Sequence, residues 1–99
     1  MSSQHPQTAN LNSLPIAREA GKITVQSVDF GGKRASQLTV QPGGSWSSDL
    51  KALDGTSSCQ KSHFGVVLSG QMGVRMDDRH EVVINANDLC SVPKGHDAW

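Results

Sequence analysis

The 99 residues carry nine basic and nine acidic side chains, so the formal charge is zero. That balance supplies no electrostatic footprint for nucleic acid or for an anionic membrane surface, and neither partner is expected. A chain this short holds one core and buries a modest fraction of its surface, so a partner subunit adds stability and a homodimer is expected. Two cysteines, Cys59 and Cys90, with no charged and apolar leader ahead of them, do not make a secreted disulfide scaffold. A cytoplasmic, soluble protein is the expectation, since no apolar run reaches the ~20 residues of a membrane-spanning helix.

The opening thirteen residues, MSSQHPQTANLNS, are polar, and such a segment buries too little apolar surface to offset the entropy of ordering it. Residues 1–21 are read as a disordered or weakly ordered tail in which His5 reads as a solvated histidine. Pro15 near a start and Gly21 as a stop suggest one short helical turn between Ser13 and Gly21. The folded domain is placed at 22–99.

From Lys22 onward, short runs of Val, Ile, Thr and Leu alternate with Gly, Asn and Asp, the texture of an all-β domain. Strands are predicted at Ile23 to Phe30, Ser36 to Val40 and Trp46 to Leu53, separated by Gly31-Gly32 and Pro42-Gly43-Gly44. His63 to Ser69 is the most apolar, with Phe64, Val66 and Leu68 on one side and His63, Gly65, Val67 and Ser69 on the other; both sides are expected to be buried. Met72 to Met76 and Glu81 to Ile84 flank the hairpin Asp77-Asp78-Arg79-His80, where His80 reads as a solvated loop residue. Asn85-Ala86-Asn87-Asp88 is a turn in which Asn takes the left-handed region, and Leu89 to Val92 is the last clear strand.

Cys59 and His63 are both competent zinc or iron ligands. On an unbroken strand, residues four apart lie about 13 Å from each other, too far for one ion bound at ~2.0–2.3 Å. The chain must therefore bend at Gln60-Lys61-Ser62. A third ligand is found in Pro93-Lys94-Gly95-His96-Asp97, where a Pro-x-Gly turn projects His96 inward; Ser57 is a weak fourth. Two or three such ligands leave a position for water or a small-molecule ligand. The plain alternative is a Cys59 that packs as a small hydrophobe, a hydrogen-bonded His63 in the core and a surface His96. Cys90 reads as packing, Trp46 and Trp99 as core or interface side chains, and a Cys-His nucleophile lacks an orienting third group.

At these residues the sequence resembles the cupin family of small jelly-roll β-barrels. In the first cupin motif, G-x5-H-x-H-x3,4-E-x6-G, the last Gly falls on Gly70, the Glu on His63, the second His on Cys59 and the first on Ser57. The second motif, G-x5-P-x-G-x2-H-x3-N, matches at Pro93 and Gly95, places Asn87 at its first Gly and sets its His on Ala98, two residues after His96. Pro42 to Ser47, Ser58 to Gln60, His63 to Gly70, Met76 to Asp78 and Pro93 to Trp99 resemble a bacterial group of single-domain cupins. The resemblance spans Lys22 to Trp99 and implies a jelly-roll barrel, a divalent metal (zinc or iron) held inside it by Cys59, His63 and His96, and a small polar ligand. It assigns no catalytic acid or base. Cupin barrels continue past the second motif, so an incomplete barrel with an open edge is expected at the C-terminus, as is a longer loop at Arg79, where related hairpins carry Gly. A metal-free ligand-binding or sensing barrel and a truncated, inactive cupin copy are the competing functional readings.

Overall fold

Antiparallel ladders closed by short turns dominate the computed structural model, which describes residues 5–99; the part of the expected tail at 1–4 lies outside the described residues. The strands are β1 (Ile16–Ala20), β2 (Ile23–Phe30), β3 (Lys33–Val40), β4 (His63–Val66), β5 (Gln71–Met76), β6 (Glu81–Asn85), β7 (Leu89–Val92) and β8 (His96–Ala98). They form three sheets, β1-β2-β3, β4-β7 and β6-β5-β8, all antiparallel. The chain is thus mainly β, as its composition predicts, and no closed barrel is present among the described residues. No described helix is long and apolar enough to cross a membrane.

Turn chemistry explains the ladders. Gly31 and Gly32 both have positive φ, 57° and 80°, and this two-residue link closes the Phe30↔Lys33 pair with the backbone twist that hairpins prefer. The pairing from that turn runs unbroken to Ile23↔Val40, so β3 begins three residues before the expected Ser36. In the β5–β6 hairpin, Arg79 donates to the Met76 carbonyl and Met76 N–H donates to His80 O, both at 2.9 Å. Four residues, Asp77 to His80, separate the two strands, with Arg79 in the left-handed region at φ 75°, so the connection is longer than a two-residue primed turn. Asn87 takes φ 72° as expected.

Three stretches differ from expectation, one of them being β8 (His96–Ala98), which pairs with β5 beyond the strand read as the last. Trp46 to Leu53 is no strand: it forms two helical turns, α1 (Trp46–Asp49) and α2 (Lys51–Asp54). Ser45 caps α1 by accepting from Ser48 N–H, and its own N–H donates to the Asp49 carboxylate. The Ser45 N–H is the main cause that holds the Asp49 carboxyl below the usual carboxylate range, with the Lys22 N–H and the Ser48 hydroxyl adding to it. Gly55, at φ 72°, ends α2. Caps at both ends, with Trp46 and Leu50 buried at i and i+4, outweigh the short apolar spacing that reads as a strand.

Ile16–Ala20, read as a helical turn within the tail, is instead a strand paired with β2 from Arg18↔Val25 to Ala20↔Ile23. Here long-range pairing overrides local propensity. The Arg18 guanidinium also reaches Asp54 at 2.8 Å, and Ser27 N–H donates to Pro15 O. A 3-10 helical turn lies earlier, at Leu11–Ser13.

Two centres of packing stand out among the described residues. Ile23, Trp46, Leu50 and Cys59 form the first, joined by Ala20 and Val25. Val74, Ile84 and Val92 form the second, with Met72, Met76, Cys90 and Ala98 around them, so β7 packs on the β6-β5-β8 sheet. Cys90 is half-buried in that packing, in keeping with a structural role. The site described next lies where Cys59, in the first centre, meets β4, β7 and β8.

Candidate metal centre

Cys59 is joined to His96 through the backbone. Cys59 N–H donates to His96 O at 2.7 Å, and Gly95 N–H donates back to Cys59 O at 2.6 Å, forming an isolated antiparallel bridge. Residues 60–62 then leave extended pairing, and His63 opens β4 opposite Val92. The bend demanded by the Cys59–His63 spacing is therefore present, and it brings Cys59 Sγ to 3.9 Å from His63 Nε2.

Pro93-Lys94-Gly95 carries the chain from β7 into β8. Gly95 has φ 89°, and a Cβ there would sit 2.9 Å from the Asp77 carboxylate, so this position has both conformational and steric reasons to be glycine. The turn sends His96 inward, where it is 3% exposed. Its ring meets that of His63 edge to face, centroids 5.2 Å apart.

Cys59, His63 and His96 thus converge, with one ligand atom from each lying within 4.8 Å of the other two. Bonds of ~2.0–2.3 Å to one tetrahedral ion place donors ~3.3–3.8 Å apart, so side-chain adjustments of about an ångström suffice. The proton positions also suit a metal. His96 Nδ1 lies 2.7 Å from the Pro93 carbonyl, which only accepts, so Nδ1 carries the proton and Nε2 presents its lone pair. Burial, aided by the fields of His96 and Lys61, pushes His63 below its ordinary value near 6.5 and favours the neutral imidazole that a metal needs.

Ser57 stands apart from this cluster. It is exposed and lines an open hollow with Ser47, Lys51 and Thr56. Its neighbour Ser58 is the buried one, donating from Oγ to Asp77 Oδ2 at 3.0 Å. Asp77 N–H in turn donates to Gly95 O. Sequence reasoning passed over this brace between the Cys59 and His96 segments, although Asp77 belongs to the Met76 to Asp78 stretch already singled out. The supporting Pro93 carbonyl was hidden for a different reason, since every residue has a carbonyl and only the turn aims this one.

Trp46 supports the site from the Cys59 side. Its Nε1–H donates to Asp54 Oδ2 at 2.8 Å, the main reason the Asp54 carboxyl is held below its usual range, with Arg18 on the other oxygen. Trp99 lies away from the ligands: its indole covers Gly73 and stacks 5.9 Å from the Arg75 guanidinium.

Comparison with protein-family models, with curated proteins and with solved structures gave no match. The functional reading accordingly rests on the residues themselves.

Proposed function

We propose that this chain is a small metal-binding β protein of the cupin type, in which Cys59, His63 and His96 hold one divalent ion and a small polar ligand completes the shell. The observation that carries the reading is the convergence of three donors from three separate segments. One thiolate and two imidazoles suit zinc best and iron second. The cupin part draws on the motif spacing and on antiparallel pairing throughout, with β7 packed against the β6-β5-β8 sheet. Two free cysteines fit a reducing compartment such as the cytoplasm.

When bound, the ion supplies Lewis-acid polarisation of a carbonyl or carboxylate oxygen. The chain's own part is to orient the donors. The Pro93 carbonyl fixes the His96 tautomer, the Ser58–Asp77 contact and the Cys59–His96 bridge hold two of the segments, and the buried surroundings of Cys59 and His96 exclude water from one side.

Elemental analysis of protein purified without added metal tests the proposal. About one zinc or iron per chain is the expected result, together with a thermal midpoint that drops when a chelator strips the ion. A chain free of stoichiometric metal, whose midpoint ignores both chelator and added zinc, would favour the metal-free barrel instead.

A further inference from the structure

We infer that the outer face of the β4-β7 sheet is the contact surface for a second copy of this chain. Strand alternation sends His63, Gly65, Cys90 and Val92 toward the protein interior and leaves Phe64, Val66, Leu89 and Ser91 outside. Both sides of β4 were expected to be buried, yet Phe64 is 85% exposed and Leu89 76%. Val66 and Leu68 are exposed as well. No charged side chain interrupts the face along β4 or β7; Lys61, Asp88 and Lys94 stand just beyond the strand ends. An apolar centre with a charged rim is the anatomy of a protein interface.

Area and charge select a second copy as the occupant. Phe64, Val66, Leu68 and Leu89 together expose on the order of 450 Å². Doubled across a two-fold axis this approaches the ~1,000 Å² that a specific interface must clear. The whole chain exposes 7185 Å², whereas a folded monomer of its mass exposes about 5,400 Å². Exposed residues 5–13 hold part of the excess, and the exposed Phe64, Val66, Leu68 and Leu89 hold another part. With a net charge of zero, two copies approach without long-range repulsion, and the face offers no charge pattern to recruit a basic or acidic partner.

The sheet geometry is compatible with self-association. Each strand of this two-stranded sheet has only one hydrogen-bonded neighbour among the described strands, and packing of equivalent faces about a two-fold is self-complementary. Such a contact braces β4 from behind, on the side opposite His63, and it does not require the metal.

Sedimentation velocity over a hundredfold range of protein concentration tests the inference. The 99-residue chain is expected to shift from 10.5 kDa to twice that mass, and a Phe64→Ser, Leu89→Ser double variant to stay at the single-chain mass throughout. Both side chains are exposed, so an unchanged far-ultraviolet circular dichroism spectrum is expected for the variant. Hydrogen exchange gives a second readout without mutation: dilution through the transition should deprotect amides at 63–68 and 89–92 and leave Val74 and Ile84 unchanged. A parent chain that remains a monomer, a folded double variant that still dimerises, or a dissociation that leaves 63–68 unaffected would each overturn the assignment.

Discussion

His63→Ala lowers metal affinity by at least ~100-fold, an estimate taken above the 10–100-fold cost of losing a mere supporting group, and leaves the metal-free fold close to its parental stability. Of the three proposed ligands His63 gives the cleanest test. Cys59 is 5% exposed and packs with Ile23, Trp46 and Leu50, so truncating it also opens a cavity. His96 is buried as well, held by the Pro93 carbonyl and the Cys59 bridge. His63 is half-buried at the start of β4, and its backbone ladder survives loss of the ring.

At a metal concentration one hundred times the dissociation constant, binding raises stability by ~2.7 kcal/mol. The variant should lose that increment, read as a thermal midpoint that no longer responds to zinc. The sign of the pH effect follows from the lowered His63 value. In the metal-free fold its stability contribution is complete above about pH 6.5 and declines as pH falls through that value toward the folded-state pKa, because the unfolded chain takes up the proton first. The parent's metal affinity weakens with acidification too, since protons compete for the same imidazoles. An affinity for zinc unchanged in His63→Ala would remove His63 from the ligand set.

The second large effect is in the packing that supports Cys59. Trp46→Ala is expected to cost ~3–5 kcal/mol, a large share of the ~5–15 kcal/mol that a small domain possesses. The indole is 5% exposed among Ile23, Leu50 and Cys59, and its Nε1–H is one of two donors to Asp54. Trp46→Phe keeps most of the apolar contact and should lose roughly 1–2 kcal/mol, mainly the hydrogen bond to a charged acceptor. Urea denaturation followed by circular dichroism measures both. Because Cys59 leans on the same cluster, added zinc should restore part of the loss in Trp46→Ala. A cost below about 1 kcal/mol for Trp46→Ala would mean that this packing contributes little.

Elements with strong local signals were legible in the sequence. Val- and Ile-rich alternation between glycine or asparagine turns located β2, β5, β6 and β7, and the positive φ values at Gly31, Gly32 and Asn87 follow from residue type. The Cys59–His63 bend was legible from distance alone, since the two donors cannot meet on a straight strand.

What escaped depends on tertiary context. β1 exists because β2 offers it a ladder, and nothing within Ile16–Ala20 announces that. The α1–α2 segment carried its caps in plain sight, but its apolar residues fit a strand or a helix until Trp46 and Leu50 find Ile23. Periodicity showed that β4 has two apolar sides without showing that only one meets the core. Neither a closed barrel nor any edge strand that would complete one is implied by periodicity at all, because closure is a property of strand order.

The most direct measurement on the central claim is a cobalt(II) titration of the metal-free chain followed by optical absorption. Binding through Cys59, His63 and His96 predicts thiolate-to-cobalt charge transfer in the near ultraviolet and intense four-coordinate ligand-field bands, both saturating at one ion per chain and the charge-transfer band vanishing in Cys59→Ser. Saturation without a thiolate band, or an unchanged spectrum in Cys59→Ser, would contradict a metal held between these three residues.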